Sequence, residues 1–424
     1  MLLYDSRTLR KEPFIPQSQP VTIYVCGITP YDTTHLGHAF TYVFFDTLIR
    51  FLRFRGNETR YVQNVTDVDD DIMRKSRELG TTWDALSETE TRRYQQDMAS
   101  LNVLPPDIFP RASGEIVKIL DIVRVLMDKG FAYQSNGNVY FSVENDPDYG
   151  SLSHLSREEM LPIANQRGNN PDDPHKRHPL DFVLWQESLP DEPRWDSPWG
   201  AGRPGWHIEC SAMALHYLGN TVDIHGGGAD LLFPHHESEI AQSVHYTGRH
   251  PFVRHWVHTA MVELDGEKMS KSLGNLVLVR KLLEHHTADA IRLLLLGHRH
   301  TESWVYTGEE MDRASRVANL MSRASQGSRA PLEGSSAGTD EGASFVAAME
   351  DDLDTPTAIG VLAEMADSLL SGAADGHIAQ RRSLLVELGG VLGLKMGIAK
   401  TLSQRLRHGG PRCNGRGPPL FPLS

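Results

Sequence analysis

Three groups of residues in this 424-residue chain have types and spacings suited to chemistry. The first is Thr33-Thr34-His35-Leu36-Gly37-His38, two imidazoles astride a glycine. If a helix opens there, its free N–H groups and positive dipole end suit phosphate oxygens, and Gly37 lets a flat ring approach the backbone. The second is Lys268-Met269-Ser270-Lys271-Ser272, with Asp265-Gly266 ahead and Gly274-Asn275 behind. Two lysines on a small-residue loop can neutralise charge building on a triphosphate during displacement. The third group is dispersed: Cys26, Cys210, His235 and Glu239. Residues four apart on a helix share a face, so His235 and Glu239 can address one ion, and two thiolates complete a tetrahedral zinc set. His236 and Glu237, in the same Pro-His-His-Glu-Ser-Glu run, compete as ligands. Taken singly, each group has a plainer reading as helix-capping histidines, an exposed basic turn, or buried free cysteines.

The elements that must position these residues alternate. Val21-Thr-Ile-Tyr-Val-Cys26 reads as a buried strand, and Phe40, Val43, Phe44, Leu48 and Phe51 follow at helical spacing. Tyr61 to Val65 reads as a second strand, so the opening is a βαβ unit that implies a parallel sheet. From about 105 to 200 the rhythm breaks: Pro105-Pro106, a helical stretch near 115–130, then a polar run rich in Pro, Asp and Arg. That segment is expected to be an insertion. Sheet signals resume at Thr221–Ile224 and at Trp256–Leu264, and the pattern turns helical from about 308 to 394. Residues 325–343 have the composition of a flexible linker, and the last 24 residues hold four arginines and no acid, a composition expected to be disordered.

Composition excludes several classes. Hydrophobic residues at 40% and charged residues at 23% are ordinary for a globular protein, and no stretch approaches the ~18–20 apolar residues of a membrane span. Three cysteines exclude a disulfide-stapled scaffold, and the N-terminus lacks a secretory pattern, so a cytoplasmic protein is expected. The net charge of −13 argues against binding nucleic acid by charge alone, though not against a local basic patch for one RNA.

The His-x-Gly-His and Lys-Met-Ser-Lys-Ser motifs resemble the HIGH and KMSKS signatures of class I aminoacyl-tRNA synthetases, with Leu36 for isoleucine. The resemblance implies an α/β fold: a Rossmann-like catalytic domain over 1–305 with a connective insertion at about 105–200, then a helical, anticodon-binding-like domain over 306–395. The zinc pattern, Asn64-Val65-Thr66-Asp67, Gly202-Arg203-Pro204-Gly205-Trp206-His207-Ile208-Glu209-Cys210 and Asp223-Ile224-His225-Gly226-Gly227-Gly228 are similar to cysteinyl-tRNA synthetases and to the paralogous cysteine ligase of mycothiol synthesis. Carried onto matching positions, this implies Zn²⁺ at Cys26, Cys210, His235 and Glu239, and a cysteine pocket at Gly27, Thr29, Thr66, Trp206 and His225. ATP, taken with Mg²⁺, would meet His35, Gly37, His38, Thr41, Gly228, Asp230, Val262, Lys268 and Lys271. Both relatives are usually monomeric.

The two relatives share cysteinyl-adenylate and differ in acceptor, tRNA(Cys) or the amine of glucosaminyl-inositol. Gly27–Asp32, Thr34–Ala39 and Gly274–Val279 lean toward the mycothiol enzyme, and Arg167-Gly168-Asn169-Asn170-Pro171 half matches it. His225, Glu239, Pro234–Ser243 and Lys268–Asn275 lean toward the synthetase. Residues that would touch the substrate thiol weigh more, so tRNA(Cys) is the expected acceptor and glucosaminyl-inositol the alternative. The Arg/Pro/Gly-rich end from Gly397 matches nothing in the family, and a frameshift that replaced a charged helical continuation would account for it.

Overall fold

The structure, a computed structural model, describes residues 1–17, 19–31, 34–269, 276–332, 336–372 and 377–396. An antiparallel pair, β1 (Leu2–Asp5) and β2 (Arg10–Pro13), precedes the central strand β3 (Val21–Ile28). Helix α1 (Leu36–Phe54) leads to β4 (Thr59–Val65), then to α2 (Asp70–Leu79) and α3 (Trp83–Ser100). After the intervening segment come α6 (Trp206–Leu218), β9 (Val222–Gly228), α7 (Glu237–Thr247) and β10 (Val253–Thr259). The main sheet runs β10-β9-β3-β4, all parallel. Its order reverses at β3, which has β4 on one side and β9, reached 194 residues later, on the other. Ligand crevices form at such switch points, outside the carboxyl ends of the strands. β3 is apolar nearly throughout because it has a strand on either side and layers above and below.

Fourteen of the 19 residues of α1 are buried, a helix that packs on the sheet with one face and on later helices with the other. Its Asp46 forms a wholly buried ion pair with Arg292 (2.6 Å) of α9 (Ala288–Leu296). Arg292 also donates to the carbonyls of Leu101 (3.1 Å) and Leu392 (2.8 Å), while Asp46 accepts from the Leu104 amide (2.8 Å) and Arg50 (2.9 Å). Each buried charged group is held by several hydrogen bonds, as burial of this kind requires.

Residues 105–200 hold α4 (Ile116–Asp128), β5 (Ala132–Ser135), β6 (Asn138–Phe141), α5 (Arg157–Asn165) and β7 (Phe182–Glu187). β5, β6 and β7 continue into β8 (Gly202–Pro204) as a four-stranded antiparallel sheet, where sequence reading found only one helix and polar chain. Asn136 and Gly137, at φ 48° and 79°, make the two-residue β5–β6 turn that needs positive φ at both positions. The Trp256–Leu264 signal divides at Ala260: β10 stays in the main sheet, and β11 (Val262–Leu264) pairs with β12 (Glu267–Lys268) and β13 (Trp304–Val305).

The C-terminal part comprises α8 (Val279–Leu283), α9, α10 (Gly308–Ala324), α11 (Asp340–Glu350), α12 (Thr355–Ser371) and α13 (Ile378–Val391). Within the stretch expected to be a linker, 333–335 lie outside the described residues, and 340–343 belong to α11, whose N-cap Thr339 accepts from the Gly342 amide (3.0 Å). The arginine-rich end from Gly397 onward also lies outside the described residues. Asp351-Asp352-Leu353-Asp354 ties this part to the start of the chain. Lys11 binds Asp351 (2.8 Å), the Tyr4 amide donates to Asp352 (2.7 Å), and Asp354 caps α12. Among the described residues no helix is long and apolar enough to cross a membrane.

Burial pushes the Asp352 carboxyl up to about 6, above its unfolded value, so stability present below the unfolded pKa is lost as pH rises through 6. Asp352→Asn keeps an acceptor for Tyr4 and suits the left-handed φ of 62°. The variant should be more stable by about 1 kcal/mol at pH 8, discounted for solvent at the rim, with the gain vanishing near pH 4. Urea unfolding at both pH values checks this, and a pH-independent gain would contradict the ionisation argument.

Candidate metal and nucleotide site

A cavity of about 1000 Å³ opens at the carboxyl ends of β3, β4 and β9. At its base the four dispersed ligand candidates converge, all buried, with ligand atoms within 4.8 Å of one another. Cys26 ends the buried run of β3, and Cys210 lies in the second turn of α6. His235 and Glu239 flank the start of α7. Cys26 Sγ is 3.8 Å from Cys210 Sγ and 3.5 Å from Glu239 Oε1, and His235 Nε2 is 3.2 Å from the same Oε1. A tetrahedral ion bonded at ~2.3 Å to sulfur and ~2.0 Å to nitrogen or oxygen separates two sulfurs by about 3.8 Å, sulfur from oxygen by about 3.5 Å, and nitrogen from oxygen by about 3.3 Å. The residues therefore fit one Zn²⁺-sized, borderline-soft cation.

Electrostatics agree. Burial pushes the Cys26 thiol and the Glu239 carboxyl well above their ordinary ranges, and Cys210 raises both further. Burial also raises the Cys210 thiol, but its hydrogen bond with Cys26 and the neighbouring His235 outweigh this and hold it well below the usual thiol range. Three acidic groups in a dry pocket ionise together only around a cation. Glu239 Oε2 and His225 Nδ1, both buried, find no hydrogen-bond partner among the described residues.

Of the competing ligands, Glu237 is engaged elsewhere and His236 stays at the cluster. The Glu237 carboxylate accepts from the amides of Leu152 (3.2 Å) and Ser153 (2.8 Å), so it anchors the turn after β6. His236 faces the cluster, with Nε2 3.2 Å from Cys26 Sγ, and with His225 it forms an alternative four-residue set alongside Cys26 and Glu239. Its Nδ1 meets His258 Nε2 (2.7 Å), whose Nδ1 meets Ser6 Oγ (2.8 Å). His207 Nδ1 lies 2.9 Å from His235 Nδ1. His236 was read from sequence as a competing ligand, whereas the relevance of His207 and His258 was missed; the only signal for His207 was its place inside a quoted motif.

Of the expected cysteine pocket, Gly27, Thr29, Thr66 and Trp206 line the cavity. A Cβ on Gly27 would stand 1.6 Å from the Asn64 carbonyl oxygen, so only glycine fits between β3 and β4 there. Thr66 Oγ1 accepts from Asn64 Nδ2 (3.1 Å), and the Trp206 ring stacks on His235 with centroids 4.2 Å apart. His225 is packed behind the cluster, its Nε2 3.7 Å from Cys26 Sγ and its ring against Trp256, and it does not reach the cavity wall.

On the nucleotide side, His35 is the N-cap of α1 and its Nδ1 accepts from the Gly37 amide (3.1 Å). The His35 and His38 rings stack at 3.9 Å. Thr41 meets Thr259 (2.7 Å), and Thr41, Gly37, Gly228, Asp230 and Val262 share the cavity wall. The backbone of Lys268 pairs with Glu263; Lys271 lies outside the described residues.

A parallel sheet whose switch point opens onto a helix N-terminus, with a metal-ligand cluster at its floor, defines a Rossmann-like nucleotide-binding enzyme. A family model described as the tRNA synthetases class I (C) catalytic domain matches residues 14–316, and one described as the DALR domain matches 344–396. The chain belongs to this class I tRNA synthetase family. It is 44% identical to a cysteine–tRNA ligase of Synechococcus elongatus over 93% of this chain and 86% of that protein. It is 41% identical to the L-cysteine:1D-myo-inositol 2-amino-2-deoxy-alpha-D-glucopyranoside ligase of Thermomonospora curvata, over 93% and 94% respectively. Among solved structures, the fold resembles Mycobacterium tuberculosis methionyl-tRNA synthetase with methionyl-adenylate (TM-score 0.60, 16% identity, 88% of this chain and 90% of that one).

Cys210→Ser should yield folded protein without bound zinc, whereas Glu237→Gln should lose stability but keep the ion. Metal analysis after dialysis decides, and the opposite pattern would reverse the ligand assignment.

Proposed function

We propose that this protein is a cysteine–tRNA ligase that activates L-cysteine with ATP and transfers it to tRNA(Cys), releasing AMP and pyrophosphate. The observation that carries the reading is the two-sulfur, one-imidazole, one-carboxylate cluster at the floor of a cavity whose rim is the N-terminus of α1. The likeness to proteins named cysteine–tRNA ligase, over 93–95% of this chain and 86–88% of theirs, supports it.

Bound Zn²⁺ would supply a soft Lewis-acid partner for the substrate thiolate, a contact that the harder, far less acidic serine hydroxyl cannot match, so no separate editing site is needed. Trp206, Thr66, Gly27 and Thr29 wall the cysteine pocket, with His225 supporting the ligands from behind. The cysteine carboxylate attacks the α-phosphate of Mg²⁺-bound ATP; the new carboxyl–phosphate bond forms as the bond to pyrophosphate breaks. Amides at the start of α1, His35 and His38 hold the phosphates, and Lys268 and Lys271 neutralise the departing pyrophosphate. Gly228 and Asp230 hold the ribose, Thr41 lies nearby, and Val262 packs on adenine. A hydroxyl of the terminal tRNA ribose then attacks the adenylate carbonyl, and AMP leaves. On this reading residues 1–305 form the catalytic domain, 306–395 hold the anticodon side, and the chain works as a cytoplasmic monomer.

A second acceptor, glucosaminyl-inositol, is favoured by the mycothiol-like Gly27-Ile28-Thr29 stretch on the cavity wall. Protein given ATP, Mg²⁺ and labelled cysteine should label tRNA and leave glucosaminyl-inositol unlabelled; label on the pseudodisaccharide alone would replace the first reading with the second. Lys271→Ala should slow adenylate formation far more than it weakens cysteine binding, as read by transient kinetics; the reverse pattern would remove Lys271 from the pyrophosphate side.

A further inference from the structure

The segment between β9 and α7 carries two residues of the proposed site, Asp230 and His235, yet it is not a continuous helix. Ala229–Leu231 is a tight turn, and Phe233 adopts extended backbone (φ −135°, ψ 136°) inside the next one. One extended residue interrupts the repeating i→i+4 ladder, so the segment does not support itself as a regular helix would. Its support comes from the insertion. Nη1 of Arg167 donates to the carbonyls of both Asp230 and Phe233, residues 63 and 66 positions away.

Arg167 is itself firmly held. It follows α5, and its amide bonds the Ala164 carbonyl (2.9 Å). The neighbouring Asn169 accepts from Lys176 (2.6 Å) and donates to the Pro179 carbonyl (3.1 Å), closing the loop. Arg167 and His235 both line the cavity. His235 lies two residues beyond the Phe233 carbonyl that Arg167 grips, and its ring must meet Glu239 at 3.2 Å and Trp206 at 4.2 Å.

We propose that Arg167 is a positioning residue through which the insertion sets the metal ligand His235. One nitrogen, Nη1, faces both carbonyls, and the rigid planar guanidinium fixes its direction more closely than a lysine ammonium on its flexible stem would. This inference rests on the metal reading above.

The test follows zinc release from the purified protein to a chromogenic chelator, with Arg167→Met, Arg167→Lys and a control, Ser188→Ala, which removes a hydrogen bond to the Pro193 carbonyl (2.7 Å) between two residues that do not line the cavity. Arg167→Met should release zinc roughly 10–100-fold faster, the range for losing a partner that orients a ligand, with Arg167→Lys in between and Ser188→Ala at the wild-type rate. In cysteine-dependent pyrophosphate exchange, KM for cysteine should rise more than KM for ATP. Folded Arg167→Met that releases zinc at the wild-type rate would overturn the assignment while leaving the metal reading intact. If Arg167→Met does not fold, Arg167→Lys decides by the same criterion. Wild-type protein that holds no zinc would overturn the metal reading and this assignment with it.

Discussion

Two thiols, an imidazole and a carboxylate buried within 4.8 Å of one another can ionise together only around a cation. Meeting that condition fixes much of the remaining architecture. The ligands come from the end of a central strand and from the starts of two helices that precede and follow β9. All three elements must therefore end at the same edge of the sheet. Glycine at positions 27 and 226 lets the strands carry this load. A Cβ on Gly226 would meet the Val257 carbonyl oxygen at 2.1 Å and the Phe45 ring at 2.3 Å, so α1 packs directly over the strand beside the cluster. The helix whose start lines the cavity is thereby seated by the same strands that present the Cys26 thiol.

Around this centre lie further imidazoles that touch two of the candidate ligands. His207 touches His235, and His236 touches Cys26 and continues through His258 to Ser6. Partners of this kind settle tautomer and ring plane, which a bare list of ligands leaves open. The chain of contacts also explains why the short N-terminal hairpin belongs to the core: the Ser6 amide bonds the Trp256 carbonyl (2.8 Å), and Asp352 holds Tyr4. A second anchor, the Asp46–Arg292 pair, joins α1 to α9 and to the end of α13, so the nucleotide-side helix and the C-terminal helices share one buried charge pair.

The βαβ opening was legible because Val21–Cys26 and the Phe40–Phe51 spacing are strong local patterns, and the resemblance brought Cys26, Cys210, His235 and Glu239 together although 213 positions separate the first from the last. The antiparallel sheet of the insertion was not read. Its strands are three to six residues long, and β5, β6 and β7 carry tyrosine, glutamine and asparagine, so they lack a clean alternation. The Asn136-Gly137 pair was the one local signal available, and it does mark a hairpin. The roles of His207, His236 and His258 depend on partners up to 252 residues away, which no window of sequence contains. The rivalry between Glu237 and Glu239 likewise turns on tertiary contacts, the amides of Leu152 and Ser153 that engage Glu237.

The insertion's last strand, β8, passes through Gly205 straight into α6, where Trp206 and Cys210 follow within five residues. A Cβ on Gly205 would stand 2.0 Å from the Val183 carbonyl oxygen, so the junction is clamped against β7 with no slack. The consequence concerns modularity. Many inserted domains can be trimmed or exchanged because they hang from two loops, but here the exit of the insertion is the entry of a ligand-bearing helix. Chimeras with a foreign insertion would have to match the register of Trp185 with Pro204, and natural variation in this region should concentrate in loops far from β8, such as the exposed turn around Leu189.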